Sequence, residues 1–203
     1  MTGLAEARAA IIAAGQRLDH LGWVPATAGN ISVRLGDGSI AITRSGGHKG
    51  FLSDDGVIRV GLDGVPLREG DRPSAETGLH CGIYRRFAAA GAVLHGHSVP
   101  VTVLSRRLAG SIRLEGYELL KAFPGLATHQ AAVALPVFEN DQDIARLQDA
   151  VETRWAEEAT IPPGYLLRGH GIYVWGADMP QALMRLEAVE FMLRCELEAR
   201  RLS

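Results

Sequence analysis

Cysteine is scarce in this sequence, and the two thiols present cannot build a disulfide framework. Of the 203 residues only Cys81 and Cys195 are cysteines, and no Cys-x-x-Cys pair occurs. Secreted domains that depend on disulfides carry several cysteines at close spacing, whereas cytosolic proteins keep isolated thiols reduced. The composition therefore excludes a disulfide-stabilised secreted scaffold and predicts a cytoplasmic protein.

Long apolar runs are missing as well. Hydrophobic residues make up 47% of the chain, but no segment approaches the roughly 18 consecutive apolar residues of a membrane-spanning helix. The N-terminal segment carries Glu6, Arg8, Arg17 and Asp19, so it lacks the apolar stretch of a signal peptide. We therefore expect neither a membrane anchor nor a secretion signal.

An excess of charge of one sign is also absent. The 21 Lys and Arg residues nearly balance the 23 Asp and Glu residues, which leaves a formal net charge of −2. No basic run is longer than two residues, whereas surfaces that bind nucleic acid or anionic lipid carry clustered Lys and Arg. The sequence therefore predicts neither nucleic acid nor a membrane surface as a partner.

What the sequence contains is one uninterrupted pattern of helices and strands. Apolar residues alternate over residues 31–35 and again over residues 40–42, and the intervening Gly36-Asp37-Gly38 predicts a β-hairpin. Because so short a turn cannot join parallel strands, the central sheet should be mixed and largely antiparallel. No G-x-G-x-x-G motif occurs, which disfavours a dinucleotide-binding fold. We expect an α/β fold in a single domain over residues 1–203, large enough to fold without a structural metal.

His95 and His97 are the first candidates for chemistry. They follow the apolar run Ala92-Val93-Leu94, which predicts a buried strand, and residues two apart on a strand point to the same face. Gly96 between them has no side chain to obstruct a ligand, and neutral imidazole is a common zinc ligand. The pair alone fits a metal site and a pair of half-buried histidines at a strand end equally well.

A third histidine shifts the balance towards a metal. His170 stands between Gly169 and Gly171, where backbone can approach closely, and it separates two predicted strands. Three histidine ligands with an open fourth position are typical of catalytic rather than structural zinc. His20 and His80 have no such pairing, and we expect them to be core or surface residues.

Two glycine-rich loops are suited to bind an oxyanion. Thr27-Ala28-Gly29-Asn30 and Ser45-Gly46-Gly47-His48-Lys49-Gly50 offer hydroxyls, an amide, unhindered backbone N–H groups and one lysine. Those are the donors that a phosphate monoester needs. The alternative is that both are simply tight turns, and for loops without a Walker pattern that is the better interpretation when they are taken alone.

Two carboxylates are candidates for proton transfer. Glu76 falls in the first turn of a helix predicted over residues 74–90, where it could simply stabilise the helix dipole. Glu118 falls in a predicted helical turn, where it could simply be a solvent-facing partner of Lys121. Beside a metal-bound carbonyl, either carboxylate could exchange protons with a carbon or oxygen that the cation has made more acidic.

Together these motifs resemble the class II aldolase family, a group of zinc-dependent α/β proteins that act on sugar phosphates. The resemblance extends over essentially the whole chain, and the motifs stand in the family order: Thr27-Ala28-Gly29-Asn30-Ile31-Ser32, Ser45-Gly46, Pro73-Ser74-Ala75-Glu76, His95-Gly96-His97-Ser98 and Gly169-His170-Gly171. A dehydratase branch of the family is similar in further blocks: Gly116-Tyr117-Glu118-Leu119-Leu120-Lys121-Ala122-Phe123, Thr128-His129, His170-Gly171-Ile172-Tyr173-Val174-Trp175-Gly176 and Glu187-Ala188-Val189-Glu190-Phe191. Gln130 and Leu186 depart from that branch, where Glu and His are expected.

The resemblance implies an α/β/α sandwich and a homo-oligomer, with a tetramer as the family's form. It implies one zinc ion per subunit on His95, His97 and His170. It also implies Glu118 as the acid/base of a dehydratase and a substrate-side place for Glu76, the acid/base position of aldolases. The implied substrate is a small sugar phosphate, with these contacts: Gly29, Asn30, Ser45, Gly46, Lys49 and Ser74.

The implied reaction is loss of water from a ketose 1-phosphate, and it leaves the base at C3 open. Glu118, Glu76 or a bound water could remove the C3 proton, and Glu118 would protonate the departing C4 hydroxyl. An aldolase or epimerase on the same metal site is the first alternative, and only the block around Glu118 separates the two. A non-catalytic metal-binding module is the second, and it would not need two phosphate-type loops, an open metal position and a carboxylate together.

Overall fold

The computed structural model describes residues 2–158 and 160–202 of the chain. Within that part, the helices are Leu4–His20 (α1), Thr77–Arg86 (α2), Val99–Arg107 (α3), Ile144–Glu157 (α4) and Met179–Leu202 (α5). The strands are Asn30–Arg34 (β1), Ile40–Thr43 (β2), Val57–Val60 (β3), Ala92–Gly96 (β4), Ser111–Glu115 (β5), Ala132–Phe138 (β6), Gly164–Leu167 (β7) and Ile172–Gly176 (β8). Short 3₁₀ helices cover Lys49–Phe51, Asp54–Gly56 and Glu118–Ala122.

The eight described strands form one sheet in the order β3-β2-β1-β4-β8-β7-β6-β5. Neighbouring strands run antiparallel except β6 and β7, which are parallel. The predicted hairpin is β1 and β2, in which Ser32 lies opposite Ile42. The prediction of a mixed, largely antiparallel sheet is therefore confirmed.

Helices cover both faces of this sheet, because its central strands are apolar on both sides. On β4, Leu94 belongs to the same core as Ile11 of α1 and Leu193 of α5. Its neighbour Val93 points the other way and belongs to a second core with Leu79 of α2. The architecture is thus an α/β/α sandwich, as predicted. Among the described residues, no helix is long and apolar enough to cross a bilayer.

The helix predicted over residues 74–90 is shorter in the structure, where α2 ends several residues early and begins late. Its start is displaced because Pro73 forms a β-bridge with the residue after β2, which holds this segment extended. Its end comes early because Phe87 leaves the helix and stacks on Trp175, with ring centroids 4.9 Å apart. Glu76 therefore precedes α2 instead of lying in its first turn.

Both cysteines are free thiols, and only Cys81 is buried. Burial raises the pKa of the Cys81 thiol to about 11. A thiol with so high a pKa stays protonated and inert at neutral pH. Cys81 is therefore a packing residue.

Candidate active site

The three predicted histidine ligands meet at one end of the sheet. His95 lies in β4, His97 follows that strand directly, and His170 lies in the turn between β7 and β8. One nitrogen from each ring lies within 4.8 Å of the other two. The structure thus brings together residues that are far apart in the sequence.

The pairing of β4 with β8 brings His170 to this place. The two strands run antiparallel with Gly96 opposite Ile172, so the turn before β8 lies beside the end of β4. Gly171 allows a close approach, because a Cβ there would lie 2.7 Å from His95 Cε1 and 2.5 Å from the Gly96 carbonyl oxygen. A larger residue would therefore push His170 away from the other rings.

The hydrogen bonds of His95 and His170 leave two nitrogen lone pairs facing a carboxylate. His95 Nδ1 donates to the Ile172 carbonyl oxygen at 2.9 Å, and His170 Nδ1 donates to Asn140 Oδ1 at 3.0 Å. A neutral imidazole has only one N–H, so each Nε2 carries a lone pair. These two nitrogens lie 3.3 Å and 3.1 Å from the carboxylate oxygens of Glu76. Acceptors this close repel unless they share a proton or bind the same metal ion. Among the described residues, His95 Nε2 is buried without a hydrogen-bond partner.

Burial keeps the His95 and His97 rings neutral at physiological pH. It lowers the pKa of His95 well below its usual value, and the neighbouring His97 and His170 rings lower it further. The pKa of His97 falls to about 4, mainly through burial and then through His170. Neutral imidazole is the form that binds a metal ion. The three rings could therefore hold a divalent cation such as zinc.

Glu76 is the predicted carboxylate that the structure places at the histidines. Its side chain is only 15% exposed and lies at the N-terminal end of α2. Asn30 Nδ2 donates to Glu76 Oε2 at 2.7 Å and to Ser74 Oγ at 3.0 Å. The extended segment before α2 thus directs both Ser74 and Glu76 toward β1.

The predicted anion loops line a cavity of about 390 Å³ beside the histidines. Glu76, His97 and His170 line it too. All the residues predicted to contact the substrate are present: Gly29, Asn30, Ser45, Gly46, Lys49 and Ser74. A volume of this size lies within the range of small-molecule sites. The metal-type and phosphate-type motifs therefore share one cavity.

Lys49 ties the two loops to each other. Its side chain is buried, and its Nζ donates to the carbonyl oxygens of Thr27 at 2.6 Å and Gly47 at 2.7 Å. These bonds use two of the three ammonium protons and leave one for a ligand. Gly29 in the first loop has a φ of +77°, and a Cβ there would lie 2.7 Å from the His95 carbonyl oxygen. Only glycine can follow this path so close to the strand.

Glu118 does not line this cavity. It begins the 3₁₀ helix Glu118–Ala122, its side chain is 67% exposed, and it pairs with Lys121 and His129. The hydrogen bond from Lys121 lowers the pKa of the Glu118 carboxyl. Within one copy of the chain Glu118 is thus a solvent-facing, ion-paired side chain.

The cavity residues that were not predicted from the sequence include Asn140 and Arg44. Asn140 orients His170 and lies in the polar run Glu139-Asn140-Asp141-Gln142-Asp143 after β6, which is a usable signal because such runs often follow strands at active sites. Arg44 donates to Asp71 at 2.7 Å. Nothing in its sequence neighbourhood distinguishes it from an ordinary surface cation.

A larger cavity lies at the opposite end of β4 and β8. Its volume is about 660 Å³, and its lining is mainly apolar, with Phe87, Phe123 and Trp175 among its residues. None of the predicted site residues lines it. Because the groups that can bind a metal and transfer protons converge on the smaller cavity, that cavity is the candidate active site.

The fold and the histidine cluster define the class of this protein. The chain belongs to the class II aldolase and adducin N-terminal domain family, whose profile matches residues 9–197. L-fuculose-1-phosphate aldolase from Thermus thermophilus is 27% identical, with a TM-score of 0.73 over 96% of this chain and 94% of that one. Another L-fuculose 1-phosphate aldolase shares the fold at 19% identity, with a TM-score of 0.81 over 100% of this chain and 90% of that one.

Curated relatives narrow the class further. The chain is 61% identical over 194 residues to methylthioribulose-1-phosphate dehydratase of Gluconacetobacter diazotrophicus, covering 95% of this chain and 93% of the relative. It is 51% identical to the protein of the same name from Pseudomonas paraeruginosa, covering 95% and 94%. The predicted similarity to a dehydratase branch of the family is therefore confirmed.

Proposed function

We propose that this chain is a metal-dependent hydro-lyase that dehydrates 5-methylthioribulose 1-phosphate to 2,3-diketo-5-methylthiopentyl 1-phosphate, a step of methionine salvage. The observation that carries the proposal is a cluster of three converging histidines, two of which line the same cavity as the phosphate-type loops. Relatives that are 61% and 51% identical bear the name of this dehydratase. We further propose zinc, one ion per subunit, as the metal.

The histidine cluster and Glu76 would form the reacting end of the site. His95, His97 and His170 would hold zinc, which when bound supplies a Lewis acid that stabilises negative charge on the substrate's C2 and C3 oxygens. Glu76 lies 3.3 Å from His95 Nε2 and 3.1 Å from His170 Nε2. Its carboxylate thus borders the same position and is one of three candidates for the base at C3, with Glu118 and a bound water.

The glycine-rich loops would bind the substrate's phosphate. The two N–H groups of the Asn30 amide donate to Glu76 and Ser74, and a bound phosphate would take the place of the Ser74 hydroxyl as acceptor. Lys49 keeps one ammonium proton after bonding to two carbonyl oxygens. Hydrogen bonds to a charged phosphate are roughly twice as strong as those between neutral groups. The proposed phosphate contacts are Gly29, Asn30, Ser45, Gly46, Lys49 and Ser74.

Glu118 would protonate the departing C4 hydroxyl, because hydroxide is a poor leaving group. Loss of the C3 proton and the C4 hydroxyl as water leaves an enol, which tautomerises to the 2,3-diketone. Since Glu118 does not line the cavity of its own chain, this role requires Glu118 of a second copy to reach the site. We therefore propose a homo-oligomer, with the tetramer that the family resemblance implies.

The proposed compartment is the cytoplasm. Both cysteines are free, as thiols are in a reducing environment. The proposed partners are the sugar phosphate and further copies of the same chain, and the balanced charge gives no reason to add nucleic acid.

A sugar-phosphate aldolase or epimerase is the second candidate function. Glu76, the acid/base position of aldolases, is the carboxylate that lies beside the histidines. An aldolase would break the C3–C4 bond of the sugar phosphate instead of releasing water. The two candidates therefore differ in their products.

Product analysis separates these candidates. Zinc-loaded protein incubated with methylthioribulose 1-phosphate should form the diketone, which NMR can follow. The dephosphorylated sugar should react far more slowly, and the His97→Ala variant should not react. Two smaller carbonyl fragments would establish the aldolase instead, and an unchanged substrate would overturn the proposal.

Mixed oligomers of two inactive variants test whether Glu118 acts in the site of a neighbouring subunit. Glu118→Gln and His97→Ala subunits should each be inactive alone. In a mixed oligomer, a site with intact histidines can receive an intact Glu118 from its neighbour, so activity should partly return. Verified mixed oligomers without activity would contradict a role for Glu118 in a second copy's site.

A further inference from the structure

A chain of buried side chains extends from Glu76 into the protein core. Asn30 Nδ2 donates to Glu76 Oε2, and Asn30 Oδ1 is hydrogen-bonded to His80 Nε2. On the other side of the imidazole, His80 Nδ1 lies 2.7 Å from Ser32 Oγ, which lies 2.9 Å from the Tyr84 hydroxyl oxygen. The four residues beyond Glu76 are at most 2% exposed. Beyond Asn30, which borders the cavity, His80, Ser32 and Tyr84 are therefore out of contact with solvent water.

Two regular elements hold these residues in line. Glu76, His80 and Tyr84 are spaced four apart at the start of α2 and along it, so they share one helix face. Asn30 and Ser32 are two apart on β1, so they share one strand face. These hydrogen-bonded side chains thus connect one face of α2 to one face of β1.

The donors and acceptors in this row of hydrogen-bonded side chains can be assigned, and all the hydrogen bonds run in one direction. A carboxylate only accepts, so Asn30 presents its NH₂ group to Glu76 and its oxygen to His80. His80 Nε2 therefore donates, and because the buried ring is neutral, its Nδ1 accepts the Ser32 hydroxyl proton. Ser32 has no second hydroxyl proton, so Tyr84 donates to Ser32 Oγ. Every proton then points toward Glu76.

We propose that His80, supported by Ser32 and Tyr84, is a positioning residue that holds the Asn30 amide with its NH₂ group toward the anion cavity. With the amide turned over, Asn30 would present its carbonyl oxygen to Glu76 and to a bound phosphate, which would repel it. His80 thereby fixes the polarity of the site without touching the substrate. The inference rests on the proposed function only for the identity of the phosphate ester.

Binding of inorganic phosphate to the full-length, zinc-loaded protein tests the proposal. His80→Leu removes both ring nitrogens and should raise the dissociation constant about tenfold or more, the loss expected for a hydrogen bond to a charged group. His80→Gln can still donate to Asn30 and accept from Ser32, so its dissociation constant should stay within about threefold of the wild type. In turnover, the His80→Leu defect should raise KM more than it lowers kcat.

A second variant covers the case in which His80→Leu does not fold. Tyr84→Phe removes only the last hydrogen-bond donor in this row of side chains. It should weaken phosphate binding by about threefold, since the bond it removes joins two neutral groups and is weaker than one to a charged group. Tyr165→Phe is the matched control, because Tyr165 is also buried but its hydroxyl has no hydrogen-bond partner in the described part of the chain. This control should bind phosphate like the wild type.

Nitrogen-15 NMR of the imidazole gives a readout that does not depend on ligand binding. The wild type should show His80 as the Nε2–H tautomer. An Nδ1–H tautomer would overturn the proposed direction, and so would unchanged phosphate affinity in His80→Leu or, if that variant is unfolded, in Tyr84→Phe.

Turnover is scored separately, so the two proposals can fail separately. Phosphate binding that depends on His80 in a protein without dehydratase activity would refute the proposed function alone. Full dehydratase activity with phosphate binding that is independent of His80 would refute the positioning role alone.

Discussion

Glu76 and Glu118 are both glutamates with an expected role in proton transfer, yet their surroundings have little in common. Glu76 is 15% exposed, accepts a hydrogen bond from Asn30 and lies beside two histidines. Glu118 is 67% exposed and pairs with Lys121 and His129 at the surface. Exposed ion pairs fix a side chain weakly, whereas the buried contacts of Glu76 hold it before any substrate arrives.

The difference shows that the motif around Glu76 describes contacts within one copy of the chain, whereas the motif around Glu118 does not. Everything that positions Glu76 comes from β1, the segment before α2, and the histidine loops of the same chain. Glu118 has no comparable set of contacts within one copy. A motif can therefore indicate a residue's role without indicating which copy of the chain the residue serves.

The largest expected effect comes from removing one of the proposed metal ligands beside Glu76. His97→Ala should reduce zinc from about one equivalent to less than about a tenth and abolish activity, while the protein stays folded because its core is large enough without metal. His129→Ala, which removes a histidine beside Glu118, should keep its zinc. Elemental analysis of both purified variants checks this contrast. Zinc retained by His97→Ala, or lost equally by both variants, would contradict the assigned site.

Replacing each glutamate by glutamine tests directly which of the two carboxylates contributes more to turnover. Glu118→Gln cannot deliver a proton, so kcat should fall by about 10²–10⁴-fold with little change in KM or zinc content. Glu76→Gln should be damaged less if Glu118 is the acid. Measuring kcat for both with methylthioribulose 1-phosphate gives the order, and the reverse order would favour the aldolase mechanism.

Local patterns allowed much of this architecture to be predicted, because they depend on residues close in sequence. The hairpin of β1 and β2 and the shared face of His95 and His97 follow from the two-residue period of a strand. The α2 boundaries were less accurate, since Phe87 leaves the helix to stack on Trp175. That contact joins distant parts of the chain and leaves no local signal.

The surroundings of the predicted site residues were the part that sequence reasoning could not supply. The segment around Glu118 is held by a bond from the Tyr117 hydroxyl to Glu196 of α5 at 2.8 Å, which no nearby motif predicts. His80 was expected as a core or surface residue and is in the core. Its four-residue spacing from Glu76 and Tyr84 was the sequence signal that could have indicated the row of hydrogen-bonded side chains to which it belongs.

A smaller effect is expected from the amide that holds Glu76. Asn30→Ala should weaken substrate binding by about 1–3 kcal/mol, the cost of an unmade hydrogen bond to a charged group. Asn140→Ala is a useful counterpart, because Asn140 orients His170 and should therefore weaken zinc binding more than phosphate binding. Titrations with phosphate and with zinc distinguish the two. Equal phosphate affinity in Asn30→Ala and the wild type would contradict the role of the loop.

The smallest expected effect comes from a third carboxyl, Glu190, which is buried like Glu76 but faces no histidine. It accepts a hydrogen bond from Ser98 Oγ, and its other oxygen has no hydrogen-bond partner within residues 2–158 and 160–202. Burial raises the pKa of Glu190 to about 7 from the usual 4.5, although the bond from Ser98 acts in the opposite direction.

The sign of the resulting pH dependence follows from proton counts. Between the two pKa values the folded protein holds a proton that the unfolded chain has lost, so stability falls as the pH rises through this range. Glu190→Gln cannot titrate, so the wild type should lose up to about 1.4 kcal/mol of unfolding free energy relative to the variant for each pH unit in the range. The opposing contribution of buried His80, whose pKa is lowered to about 3, is common to both proteins and cancels in the difference. Urea unfolding of both proteins at several pH values, with equal zinc loading, measures this difference in unfolding free energy. If the difference in unfolding free energy does not change with pH, Glu190 is ionised in the folded protein and behaves like the exposed Glu118, not like a buried acid.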